Sequence, residues 1–131
     1  VIFTGLLVDQ IKRDAYAAAD LFVLPTLREA APVVVLEALG ASVPVLTTKG
    51  APWENLVTHR CGWWTDIDSG AIADVLKKAM ACSPAELRQM GGRGRDLVGA
   101  RYTWQQSALQ TISLYRWLIG QGERPDFVSF D

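Results

Sequence analysis

From Pro32 to Thr48 the chain runs seventeen residues, PVVVLEALGASVPVLTT, with a single charged side chain, Glu37. A run this apolar must be buried. With Glu37 counted it falls short of the roughly 18 uncharged residues that read as a membrane span. Its two ends differ in kind. Pro32 to Ala41 reads as a helix opened by proline, and PVLTT (44–48) as a strand covered on both faces. A lone carboxylate inside such a helix is costly unless something pairs with it or hydrogen-bonds to it. Glu37 is therefore explained by chemistry better than by packing. A second carboxylate, Glu29, stands eight positions earlier, just ahead of the apolar run.

The same alternation extends to both sides. VIFTG (1–5) has the composition of a buried strand. Asp9 to Ala19 follows as a helix, with Ile11, Ala15, Ala18 and Ala19 at core spacing and Lys12, Arg13 and Asp14 on the other side. LFVLPT (21–26) is an apolar strand stopped by Pro25. Short apolar strands alternating with helices predict a parallel sheet joined by right-handed crossovers. Past Gly50 the pattern loosens into a short helix over Pro52–Thr58 and an edge strand, CGWWTDI (61–67).

From Ser69 onward the chain reads as helical. Ser83, Pro84 and Glu86 combine an N-cap, a first-turn proline and a capping box. Thr103 opens a last helix with Trp104, Ala108, Ile112, Tyr115 and Ile119 in one stripe. The expected organisation is one domain over 1–122 and a loose tail over 123–131. The chain begins at Val1 directly in a strand-like run and carries no signal-peptide pattern, so it reads as an excised piece.

At 131 residues, half of them apolar, with 21% charged and a net charge of −1, the chain fits a globular domain and offers no basic surface for nucleic acid. Arg88, Arg93, Arg95 and Arg101 cluster, but Glu86 and Asp96 interrupt them, as on a solvated helix face. Cys61 and Cys82 have neither the number nor the spacing of a disulfide framework or a zinc site, which fits a cytoplasmic protein with reduced thiols.

In an open α/β sheet, ligands bind beyond the carboxyl ends of the strands. Glu29 falls in such a loop, and Glu37 about one and a half turns into the helix that follows. Ala31, before the proline, cannot cap that helix, so its first N–H groups and its positive dipole end suit an anion such as a diphosphate. A carboxylate accepts from two neighbouring hydroxyls, as in a ribose or pyranose diol. The alternative is that Glu29 is a loop charge and Glu37 reaches solvent at a helix edge.

REAAPVVVLEALGASVP, with Glu29 and Glu37, resembles the Glu-x7-Glu motif of family 4 glycosyltransferases, retaining nucleotide-sugar enzymes of GT-B fold. AADLFVLPT, LEALGASVPVLTT, TKGAPWENL and RYTWQQSALQTISLY resemble further stretches of the family's donor-binding domain, in order. The resemblance covers Val1 to about Gly120 and implies the C-terminal half of a GT-B donor domain: a partial Rossmann-like three-layer α/β/α fold with a short parallel sheet and a helical C-terminal end. It implies a hexosyltransferase-like enzyme when full length, in surface-polysaccharide, lipopolysaccharide or glycolipid assembly, cytoplasmic and in peripheral contact with the membrane.

Carried over by position, Glu37 binds the donor ribose and Glu29 the transferred sugar. Glu29 then acts by positioning and electrostatics rather than as a nucleophile. Backbone N–H groups near Val33, Val34, Gly50 and Ala51 contact phosphate or sugar oxygens, Lys49 is the nearby cation, and Glu54 orders the loop. The partners implied are a nucleotide-diphosphate sugar and a glycan or lipid-linked acceptor, with no cofactor and no metal. Two departures stand out. Ala30, Ala31 and Pro32 replace the family's usual glycine-containing trio. The family's diphosphate-neutralising basic residues and its acceptor domain lie upstream of the matched region, so the piece alone is expected to bind weakly and catalyse nothing.

Other candidates have plainer explanations. Asp66 and Asp68 spell Asp-x-Asp, a possible hard-cation pair, but sit in a turn where Asp bonds locally. His59 has no evident partner for acid–base work. Trp63 and Trp64 are neighbours on a strand, so at most one faces a given site, and core packing suits Trp53 as well. Two rival functions remain: a nucleotide-sugar epimerase of GT-B architecture, and a non-catalytic interaction module with both glutamates as surface charges.

Overall fold

Three short strands, β1 (Phe22–Leu24), β2 (Val45–Thr48) and β3 (Gly62–Thr65), form a parallel sheet in the order β1-β2-β3. The computed structural model describes residues 1–129. The described residues also form six helices: α1 (Asp9–Ala17), α2 (Val33–Gly40), α3 (Asn55–Thr58), α4 (Ser69–Met80), α5 (Pro84–Arg101) and α6 (Trp104–Leu118). This is the expected α/β fold with a short parallel sheet and helical C-terminal end. Val23 pairs with Leu46, and Leu46 with Trp63, so β2 is the middle strand and every one of its residues is buried. Each strand is joined to the next by a helix, α2 and then α3, as parallel pairing requires.

The core gathers Val35, Ala38 and Leu39 of α2, Val45 of β2, Leu56 of α3, Cys61 and Leu97 of α5. Each fully buried Val or Leu contributes about 1.5–3 kcal/mol. Helix α5 fits because two of its four glycines stand where a side chain would collide. A Cβ on Gly91 would fall 1.8 Å from the Ser42 carbonyl oxygen, and one on Gly94 would fall 2.7 Å from the Leu39 side chain. The same helix closes the turn after α3, where Arg93 Nε donates to the Arg60 carbonyl at 2.8 Å. Arg88, Arg93, Arg95 and Arg101 are all exposed.

The capping signals read from the sequence operate as expected. Ser83 N–H donates to Glu86 Oε2 at 2.7 Å while Glu86 N–H donates back to Ser83 Oγ. The Ser83 hydroxyl also donates to Glu86 Oε2 at 2.7 Å, and this bond, with the Ser83 N–H second, holds the Glu86 carboxyl below its ordinary value. Thr103 accepts from the Gln106 N–H at the start of α6.

Two expectations are overturned. Residues 1–8 form no strand, and Val1, Ile2, Phe3 and Leu6 are exposed. A strand needs a ladder partner, and among the described residues none pairs with VIFTG. Helix α1 also turns a different face inward: Tyr16 packs against the core, whereas Ile11, Ala15 and Ala18 are exposed, and of the expected core positions only Ala19, just past the helix, packs there. By contact density the chain divides into Val1–Val98, which holds the sheet, and Gly99–Asp131, which holds α6. The apolar stripe of α6 is exposed at Trp104, Ile112, Tyr115 and Ile119.

Candidate functional site

The loops at the carboxyl ends of β1 and β2 are stitched together by hydrogen bonds. Thr47 Oγ1 donates to the Leu24 carbonyl at 2.8 Å. Thr48 Oγ1 donates to the Thr26 carbonyl and accepts from the Thr26 N–H. Both threonines are fully buried, and these bonds satisfy their hydroxyls. One step further along, the Glu29 N–H donates to the Gly50 carbonyl at 2.8 Å. The loops approach so closely at this point that only glycine fits, since a Cβ on Gly50 would lie 2.4 Å from the Thr26 carbonyl oxygen.

Glu29 therefore has a fixed backbone and an exposed side chain. Helix α2 starts four residues later. Its N-cap, Pro32, offers neither a side-chain acceptor nor an N–H, and no side-chain bond caps this end. Val33 and Val34 at the helix start are exposed. The Ala51 N–H donates to the Thr48 carbonyl at 3.0 Å and the residue is fully buried. That N–H is already satisfied, so Gly50 presents the more accessible backbone of the pair.

Glu37 is not bare. Its Oε1 accepts from Lys12 Nζ at 2.6 Å, and its Oε2 from the Tyr16 hydroxyl at 3.2 Å. The sequence placed Lys12 on the solvent side of α1. In the structure the inward turn of that helix brings Lys12 and Tyr16, four residues apart on one face, onto the carboxylate. Burial, with the nearby Glu37 charge second, pushes the Tyr16 phenol above its ordinary value, so it stays a donor at neutral pH. Glu37 and Lys12 are each about one-third exposed, at 32% and 39%. They line a groove of about 490 Å³ with Arg13, Tyr16, Gly40 and Ala41.

A second groove, of about 500 Å³, lies by the loop after β2 and is lined by Lys49, Gly50, Pro52, Glu54, Asn55 and Trp64. Glu29 is not among the lining residues of either groove. Lys49 forms an ion pair with Asp66 at 2.8 Å. Asp68 caps α4 by accepting from the Ala71 N–H at 3.0 Å. Among the described residues no three His, Cys, Asp or Glu side chains are grouped to hold a metal ion.

Of the tryptophans, Trp53 is core. Trp64 packs against the core and donates Nε1–H to the Ala51 carbonyl at 2.8 Å. His59 Nδ1 lies 3.1 Å from the Asn55 carbonyl, which can only accept, so the imidazole serves its own helix end. Burial pushes the Cys61 thiol up.

A family model described as Glycosyl transferases group 1 matches residues 1–82. A sucrose synthase of Nitrosomonas europaea is 32% identical over 102 residues, which cover 73% of the chain and 13% of that protein. A GDP-mannose-dependent alpha-mannosyltransferase of Mycolicibacterium smegmatis is 33% identical over 121 residues, 92% of the chain and 32% of that protein. Among solved structures, a sucrose-phosphate synthase from Thermosynechococcus elongatus superposes with a TM-score of 0.70 at 30% identity, over 81% of the chain and 27% of its own. The chain thus spans less than a third of each relative.

Proposed function

Since the chain belongs to the group 1 glycosyl transferases, we propose that it is the donor-binding part of a retaining enzyme that moves a sugar from a nucleotide-diphosphate sugar to an acceptor. The observation that carries this reading is the backbone stitch that sets Glu29, an exposed carboxylate, beside an uncapped helix start at the carboxyl edge of a parallel sheet. A diphosphate there would find the N–H groups of Val33, Val34 and Gly50 and the positive end of α2. Glu37 would accept from the ribose diol and Glu29 from the transferred sugar. Lys49 would help as a cation by exchanging Asp66 for phosphate, and Glu54 would order the loop at the groove it lines. The reading assigns no metal, because Asp66 and Asp68 already serve Lys49 and the cap of α4.

Glu29 would act on the transition state by placing the sugar and by its charge rather than as a nucleophile. The acceptor would be a glycan or lipid-linked sugar in surface-polysaccharide or glycolipid assembly. The setting would be cytoplasmic, at the inner face of the membrane. No helix among the described residues is long and apolar enough to cross a membrane, so such contact would be peripheral. The mannosyltransferase relative puts GDP-mannose first among donors to try.

Ligand-observed NMR with UDP, GDP, ADP and their sugar conjugates tests the reading. It expects saturable binding of one nucleotide class and its loss in Glu37→Ala. Equal signals from both proteins would refute the role given to Glu37.

A further inference from the structure

Resting on that reading of Glu37, we propose that Lys12 and Tyr16 are positioning residues that aim its carboxylate at a vicinal diol. Each carboxylate oxygen offers about two acceptor sites, four in all. Lys12 Nζ takes one at Oε1 and the Tyr16 hydroxyl takes one at Oε2. One site therefore remains on each oxygen, which matches the two parallel O–H donors of a ribose 2′,3′-diol.

The two partners also fix the carboxylate in rotation. A Glu side chain held at one oxygen can swing, whereas one held at both cannot without breaking a bond. The Tyr16 hydroxyl lies 3.4 Å from the Val34 carbonyl as well, so the phenol is itself braced against α2. Its single proton goes to the nearer and charged acceptor, Glu37.

The carboxylate held in this way lines the groove beside α1. Gly40 and Ala41 bring little side-chain bulk to the same groove, which leaves it open for a ring beside the carboxylate.

A purely structural tie between α1 and α2 would use the same contacts, but it would affect all ligands alike. The discriminating readout is the preference for a ribonucleotide over its 2′-deoxy counterpart. The 131-residue chain, Lys12→Met, Lys12→Arg, Tyr16→Phe and Glu37→Gln are titrated with UDP, GDP and ADP and with the 2′-deoxy form of each by ligand-observed NMR. A hydrogen bond to a charged acceptor corresponds to about a tenfold preference for the ribo form in the unaltered chain.

Lys12→Met and Glu37→Gln should each bring that preference close to unity, and Tyr16→Phe should lower it partway. Lys12→Arg should retain it. Loss of overall affinity from the removed charge cancels in the ratio, and Tyr16→Phe, which deletes one oxygen, covers the case in which Lys12→Met fails to fold. An undiminished preference in both Lys12→Met and Tyr16→Phe, with Glu37→Gln abolishing it, would overturn the positioning role and leave the reading of Glu37 intact. A preference that survives Glu37→Gln, or no nucleotide binding by the unaltered chain, would overturn both.

Discussion

The two glutamates of this chain are held in opposite ways. Glu29 is fixed through its backbone, by the Gly50 carbonyl and the threonine bonds behind it, and its side chain is exposed. Glu37 sits on a regular helix, and its side chain is what is fixed, by Lys12 and Tyr16 from a different helix. The first arrangement places a charge without using any of its acceptor capacity. The second spends part of that capacity to set a direction. A loop has no rigid frame of its own, so precision there must come from neighbouring backbone. A helix already supplies the frame, and only the last few bonds of the side chain need restraint.

The difference predicts unequal costs of disruption. The largest belongs to the stitched loops: Gly50→Ala should lower stability by about 2–3 kcal/mol in guanidinium unfolding, because its Cβ meets backbone that must move. An unchanged midpoint would mean that the two loops are not fixed against each other. Thr48→Val comes next, at about 1–3 kcal/mol, since it keeps the shape but strands the part-buried Thr26 N–H.

On the other side of the comparison, Glu37→Gln should cost at most about 1 kcal/mol in the same unfolding measurement, as a partly exposed ion pair contributes little to folding. A larger loss would mark the Lys12–Glu37 pair as a structural strut and blur the contrast. The smallest effect concerns pH. The Tyr16 phenol is raised above its ordinary value of 10.0 by burial. The unfolded chain therefore loses this proton first. The stability it contributes is complete below pH 10 and falls away as pH rises through the folded-state value. Unfolding midpoints measured from pH 8 to 11 should show a decline that Tyr16→Phe lessens.

The sequence was most informative where the signal is local. The apolar run from Pro32 to Thr48, the Ser83–Glu86 capping box and the Thr103 cap each depend on residues within a turn or two, and the helices and strands appear where those signals place them. The place of Glu29 in the loop after β1 followed in the same way from the order of elements. What could not be read were contacts between distant segments. Lys12 lies 25 positions from Glu37, and the choice of which face α1 turns inward depends on how it docks. VIFTG has strand composition, yet a strand is defined by its neighbour. Gly91 and Gly94 of α5 look like helix weakeners until Ser42 and Leu39 are seen to occupy the space that their side chains would fill.

The central claim is that one nucleotide sugar touches both carboxylate regions at once. Backbone amide shifts of the chain, followed by NMR as GDP-mannose, UDP-glucose or ADP-glucose is added, test it most directly. The account predicts that one of these donors moves the amides of Glu29, Val33, Val34 and Gly50 together with those around Glu37, along a single saturation curve. Shifts confined to α6, or shifts at Glu37 that saturate at a different concentration from those at Glu29 and Gly50, would contradict it.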